Sequence, residues 1–331
     1  MRRISIAVVS DVHFAGPAEK ARAGHEAKVI GNGVLRGLVE LYRHYVWLRD
    51  VFAHNHLLDY FIETVRDPDL VVGNGDYSCD TAFIGPMDAA CYESAALCLE
   101  QLRSAYGERF VSVMGDHELG KKSIFGGAGG MRLASWERTV SELKVEPFWV
   151  HEIGVYRLIG ITSSLVALPV FDADVMGEEM DGWKRLRADH LRQIEQAFSK
   201  LSKEHRVILF CHDPSALPFL APLEGVKERL DLIEQTVIGH LHSDLIVKMS
   251  RFLSGMPHLS FLGSTVNRLS AALRQARTWK HFKVRLCPSL AGIELLKDGA
   301  FLQLELDPSG EQPLVVTRHP VPREGLKAFP N

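Results

Sequence analysis

Short apolar runs rich in β-branched residues recur along the chain, each closing on a small cluster of His, Asp, Asn or Gly. This pattern predicts strands at Ile4–Val9, Leu70–Val72, Phe110–Val113, Tyr156–Ile161, Val207–Phe210 and Thr236–Ile238. Between them, longer stretches carry apolar residues at helical spacing. Trp183–Leu201 sets Leu186, His190, Ile194, Ala197 and Leu201 among charges, and Ala89–Ala105 does the same with Leu97, Leu99 and Leu102. Strand and helix alternate along most of the chain, which predicts the α/β class. Near the end, Gly292–Leu296 and Ala300–Leu306 flank Lys297-Asp298-Gly299, and an Asp-Gly step between two apolar runs predicts a hairpin. Between His13 and Gly73 there are more residues than one crossover helix needs. The surplus, Val29–Val65, reads as two helices rich in Leu, Tyr, Trp and Phe, either packed across the sheet or forming a cap over a site.

Length and composition narrow this picture. A chain of 331 residues that is 46% hydrophobic can bury a full core, so we expect one elaborated domain over 1–331, with 29–65 either packed across the sheet or inserted as a helical cap and 266–331 as a C-terminal extension. The formal net charge of −3 leaves no global basic field, so no nucleic-acid partner is expected and phosphate attraction must be local. Cys79, Cys91, Cys98, Cys211 and Cys287 fall in no zinc-like spacing and read as free thiols of a reducing, cytoplasmic compartment. Ser10 and Asp11 cut the first apolar run too short for a signal peptide. Leu158–Phe171, interrupted by Thr162, Ser163, Ser164 and Pro169, falls short of the roughly 20 residues of a membrane span.

Five polar clusters follow the predicted strands in order: Asp11-Val12-His13, Gly73-Asn74-Gly75-Asp76, Gly115-Asp116-His117-Glu118, Cys211-His212-Asp213-Pro214 and Gly239-His240-Leu241-His242. In α/β sheets ligands bind beyond the carboxyl ends of the strands, where these clusters fall. Carboxylate mixed with imidazole suits manganese, iron or zinc rather than calcium or magnesium. Two divalent ions at the strand tips are the expectation.

These residues resemble the calcineurin-like metallophosphoesterases, whose blocks DxH, GD, GNH(D/E), H and GHxH occur here in that order from Ile4 to about Gly263-Ser264. The resemblance implies a four-layer α/β/β/α sandwich with an inserted helical segment and a C-terminal hairpin. It implies that Asp11, His13, Asp76 and His242 bind one metal and that Asp76, Asp116, His212 and His240 bind the second, with Asp76 bridging and manganese favoured. The implied chemistry is hydrolysis of a phosphodiester, phosphomonoester or pyrophosphate by a metal-bridging hydroxide. His117 would stand beside the metals, steadying the phosphoryl group or protonating the leaving alkoxide.

Two departures from the family pattern bear on the chemistry. Asp116 stands where the family usually has Asn, so three carboxylates instead of two would face the metals, with tighter metal binding and a weaker pull on an anionic phosphate expected. The family's second acid usually lies one residue nearer than Asp80, so an orienting contact from Asp80 to His117 is not implied. The run from Gly115 to Lys122 nearly spells a P-loop, but Lys122 stands where Ser or Thr must meet magnesium, and Lys121 and Lys122 read as a solvated pair or as part of a phosphate pocket's lining. The basic stretch 268–285, with Leu269, Leu273, Trp279 and Phe282 among arginines and lysines, reads as a peripheral membrane contact, an anionic-substrate rim or a solvated helix face. The expected partner is a small phosphorylated substrate. A lipid- or nucleotide-linked pyrophosphate, as in the UDP-diacylglucosamine pyrophosphohydrolases, is the alternative. A protein Ser/Thr phosphatase is disfavoured, because the Arg-Gly that should follow the second acid is missing. A non-catalytic metal-binding scaffold of the same fold is the reading from another class.

Overall fold

A computed structural model describes residues 2–22, 24–123, 127–245 and 278–322. Among them ten strands form two five-stranded sheets. The first sheet contains β1 (Ile4–Val9), β2 (Leu70–Asn74), β3 (Phe110–Val113), β9 (Ala300–Leu306) and β10 (Val315–Pro320), in the order β10-β9-β1-β2-β3. The second contains β4 (Phe148–Ile153), β5 (Tyr156–Ile161), β6 (Arg206–Cys211), β7 (Ile233–Ile238) and β8 (Val284–Leu286), in chain order. Strands β1, β2 and β3 are parallel, as are β5 to β8, so their carboxyl ends gather along one rim. The antiparallel strands β4, β9 and β10 lie at the flanks.

Period-two alternation places the core. Ile6 and Val8 of β1, Leu70 and Val72 of β2, and Ile208 and Phe210 of β6 meet between the sheets. Their neighbours Ala7, Val9, Val71, Val207 and Leu209 face outward into a second apolar cluster. That cluster takes in Cys98, Leu99 and Leu102 of a helix over Ala89–Tyr106, and Trp183, Ile194 and Phe198 of a helix over Met180–Ser199. Helix, sheet, sheet and helix are therefore stacked, the sandwich that the resemblance implied. With both faces buried, the parallel strands read as unbroken apolar runs. Trp149 ties the two sheets together: its Nε1 donates to the Ser112 carbonyl at 2.9 Å. Its indole occupies the place of a side chain at Gly160, where a Cβ would lie 2.2 Å from Cε2.

The expected hairpin is displaced. Ala300–Leu306 is a strand, but its hairpin partner is β10, across a turn in which Asp307 accepts from the backbone N–H of Ser309 and Gln312. Gly292–Leu296 forms no strand because its N–H groups are used elsewhere. Ile293 donates to the Asp298 carboxylate, while Glu294 and Leu295 donate to the carbonyls of Trp47 and Val46.

Within Val29–Val65, helix α1 (Gly33–Tyr45) and helix α2 (His56–Thr64) behave differently. Helix α2 buries Leu57, Leu58 and Phe61, with Phe61 edge-on to Phe301 of β9, and is ordinary packing on the sheet. Helix α1, begun by the Asn32 side chain accepting from Val34 and Leu35, buries only Val39 and leaves Val34, Leu38, Leu41 and Tyr45 more than half exposed. The segment is pinned by Asn55, whose amide both accepts from the Ala15 N–H (2.9 Å) and donates to the Ala15 carbonyl (2.8 Å).

Gly263-Ser264 and residues 268–277 lie outside the described residues. In the remainder of the basic stretch, Trp279 and Phe282 are buried in the core, so these two do not form an apolar face turned outward. No described helix is long and apolar enough to cross a membrane.

Candidate metal centre

The loops leaving β1 and β2 stay paired beyond the strands: Asp11, His13 and Phe14 donate their N–H groups to the carbonyls of Gly75, Asp76 and Tyr77 at 3.0–3.1 Å. This pairing brings Asp11 and His13 alongside Asp76. From β3, Glu118 folds its buried carboxylate back to accept from the N–H groups of Gly115 (2.8 Å), Asp76 (3.0 Å) and Tyr77 (2.9 Å), which joins the third loop to the second. Gly115 permits the approach, since a Cβ there would lie 2.2 Å from Asp76 Oδ1. From the second sheet, His240 donates its N–H to both oxygens of Asp11 at 3.0 and 3.1 Å. Asp11, His13, Asp76, His240 and His242 all hold left-handed backbone conformations, with φ between 47° and 61°. Non-glycine residues sit there only where surrounding contacts over-determine them, a mark of functional loops.

The side chains converge in two abutting groups, with a third set, His13, Asp76 and His117, overlapping both. Asp76, Asp116, His212 and His240 can place one ligand atom each around a common point, and Asp11, His13 and His242 do so beside them. His212 Nε2 lies 3.3 Å from both Asp76 Oδ2 and Asp116 Oδ1, and His240 Nδ1 lies 3.1 Å from Asp116 Oδ1. In the second group His13 Nε2 is 3.2 Å from His242 Nε2, and His242 Nε2 is 3.4 Å from Asp11 Oδ1. His117 approaches Asp76 Oδ2 at 3.6 Å. All seven residues singled out as ligands by the sequence, and His117, are thus brought together.

The far sides of the rings fix their orientation. Nδ1 of His212 faces the Asn74 carbonyl at 2.6 Å, while Nδ1 of His13 and of His117 face the Ser78 carbonyl at 3.3 and 2.8 Å. With Nδ1 donating, Nε2 of each ring keeps its lone pair toward the centre, as metal-binding imidazoles require. Asp80 does not orient His117; its Oδ1 accepts from Ile84 and Gly85 and shapes the next turn.

This donor set fits divalent ions. His212 Nε2 is buried without a hydrogen-bond partner, facing two carboxylate oxygens. Burial opposes charge on that ring, yet Asp76, Asp11 and Asp116 raise its pKa well above the usual imidazole value. The carboxylates demand a cation at that point, and a metal ion meets the demand as a proton does. In the other group, burial lowers His13 to about 3 and His242 well below its ordinary value, which keeps both rings neutral and able to ligate.

Two contributors escaped the sequence reading. Glu118 was part of a motif but had no assigned role, and its buried carboxylate organises three backbone donors. Lys121 was read as half of a solvated pair or as lining a phosphate pocket; its Nζ lies 2.6 Å from Asp116 Oδ2 inside the site, a pairing that no motif announced. Lys122, also at the edge of the site, donates to the Ala173 carbonyl. The signal available for Lys121 was charge: one unexpected carboxylate at 116 and one lysine five residues on.

Above the ligands is a cavity of about 120 Å³ whose walls include His13, His117, His242, Lys121, Trp47 and Phe83. A second cavity, of about 190 Å³ and lined by Ile30, Val39 and Tyr42, shares the walls Arg43, Trp47 and Phe83.

Two abutting Asp/His clusters at the strand tips of a two-sheet sandwich define the class, a dinuclear phosphoester hydrolase. The chain belongs to the calcineurin-like phosphoesterase family, whose family model matches residues 4–244. Among solved structures it is similar to a dimetal phosphatase from Danio rerio, at 13% identity and a TM-score of 0.46 over 96% of each chain. It is also similar to a protein serine/threonine phosphatase from Saccharomyces cerevisiae, at 10% identity and a TM-score of 0.31 over 97% of this chain and 81% of that one. These likenesses are distant, and the assignment rests on the family match. No curated protein matches the sequence at a significant level.

Proposed function

We propose that this protein hydrolyses a phosphodiester, phosphomonoester or pyrophosphate whose phosphoryl group sits in the cavity above the two Asp/His clusters. The observation that carries this is the convergence of the ligand-type side chains into two abutting groups. Asp11, His13, Asp76 and His242 would hold one divalent ion, and Asp76, Asp116, His212 and His240 the other, with manganese favoured. When bound, such ions neutralise phosphoryl oxygens and lower the pKa of water. The protein's own part is placement: Ser78 holds His117 with its Nε2 toward the reacting group, where the ring, once protonated at Nε2 beside Asp76, can donate that proton to the departing oxygen.

The cavities support a narrower reading in which the substrate carries an apolar or aromatic body next to its phosphate, as a lipid- or nucleotide-linked pyrophosphate does. Trp47 reaches over the site, and apolar side chains continue beneath α1. The cysteines are all free and four of the five are buried, which supports a cytoplasmic setting.

The test is hydrolysis of bis-p-nitrophenyl phosphate and p-nitrophenyl phosphate with added manganese, iron or zinc. Activity lost on metal stripping is expected, with a smaller reduction in His117→Ala on these activated esters. Two bound metals with no turnover of esters or lipid-linked pyrophosphates would favour the scaffold reading.

A further inference from the structure

Asp116 brings a third carboxylate to a centre whose relatives are expected to carry a neutral amide there, and the fold supplies the compensating charge. Oδ1 of Asp116 faces the ligand side, 3.3 Å from His212 Nε2 and 3.1 Å from His240 Nδ1. Its Oδ2 faces Lys121 Nζ at 2.6 Å. The ammonium has three N–H donors, and among the described residues Asp116 is its only ion-pair partner. Lys121 lines the same cavity as His117, and its side chain retains 27% of its exposure, so the remaining donors can reach that space. A lysine acts on phosphate as a compact point charge.

We infer that Lys121 is a substrate-binding residue, holding a phosphoryl oxygen while paired with Asp116, so that the pair replaces a neutral ligand by an anionic ligand plus a phosphate-binding cation. This rests on the phosphoester reading above. It also corrects the expectation drawn from Asp116 alone: the pull on an anionic phosphate is not weakened, because the added negative charge arrives with a cation.

The experiment uses the full chain loaded with manganese, as wild type, Lys121→Met, Lys121→Arg, Asp116→Asn and the Asp116→Asn/Lys121→Met double variant. Metal content is measured by elemental analysis, and affinity for inorganic phosphate by calorimetry. In Lys121→Met, two metals should be retained while phosphate affinity falls at least tenfold, and Lys121→Arg should recover most of it. Asp116→Asn should lose the second metal, because the lysine is then unpaired beside it. The double variant should regain metal but not phosphate affinity. Phosphate affinity within twofold of wild type in metal-loaded Lys121→Met would overturn the proposal. So would metal losses that simply add in the double variant. Phosphate binding is read without turnover, so wild-type protein that binds phosphate through Lys121 yet hydrolyses nothing would refute the enzymatic reading and leave this one standing.

Discussion

The indole of Trp47 lies against the imidazole of His242, with ring centroids 4.8 Å apart and planes tilted by 37°. The segment after α1 therefore touches a candidate ligand directly, held there by the bonds from Glu294 and Leu295 to Trp47 and Val46. An aromatic wall beside the phosphoryl site favours substrates with a flat or apolar body, by about 1 kcal/mol for one ring contact. Trp47→Ala should lower kcat/KM for p-nitrophenyl esters by roughly fivefold on that contact. For glycerol phosphate it should leave kcat/KM nearly unchanged. Equal losses on both substrates would mean that the indole only supports His242.

His117 stands beside both clusters, and a proton donor's contribution depends on the leaving group. His117→Ala should reduce kcat by about 10²–10⁴ for alkyl esters and markedly less for p-nitrophenyl esters, whose oxygen departs without a proton. The comparison is made at equal metal content. A uniform loss across leaving groups would assign the ring to phosphoryl positioning instead.

The carboxylate of Glu118 is a structural anchor, accepting from Gly115, Asp76 and Tyr77. Glu118→Gln is nearly isosteric but turns an N–H toward at least one of these donors. We expect a loss of about 1–3 kcal/mol in urea unfolding of the metal-free protein, together with weaker metal retention. An unchanged urea midpoint would show that the loops hold their shape by other means.

His190 supplies a pH dependence away from the metals. Burial lowers its pKa to about 4, and its Nε2 accepts from the Thr162 N–H at 3.1 Å. A base whose folded pKa is depressed stays neutral in the folded state while the unfolded chain takes up a proton. Stability is therefore lost as pH falls from the ordinary imidazole value near 6.5 toward 4. At pH 5 the loss from this group is about 2 kcal/mol. His190→Gln keeps an acceptor and removes the titration, so its stability relative to wild type should improve by that amount between pH 7.5 and pH 5. A pH-independent difference would contradict the assignment.

The parallel strands at the centre were legible because burial on both faces leaves unbroken apolar runs that end where the chain turns polar. Of the edge strands only β3 was. β4, β8 and β10 are short or half exposed, with His151, Glu152, Arg318 and His319 breaking any apolar signature. The misplaced hairpin has the same root: Asp298-Gly299 has turn chemistry, but the backbone donors of 293–295 are taken by Asp298 and by the segment after α1, a long-range fact absent from local sequence. At the site, the ligand residues were legible as ordered motifs, since each motif is local. The pairing of Lys121 with Asp116 and the anchoring by Glu118 were not, because these are contacts whose partners are set by the path of the loop.

The ligand set is divided between the two sheets. Asp11, His13, Asp76 and Asp116 follow strands of the first, and His212, His240 and His242 follow strands of the second. Ions held across that seam would act as a clasp, and any sliding of one sheet over the other would move one half of the candidate ligands relative to the other. The geometry of the centre is therefore set as much by the interlocking of Trp149, Phe210 and Leu304 deep in the sandwich as by the ligands themselves.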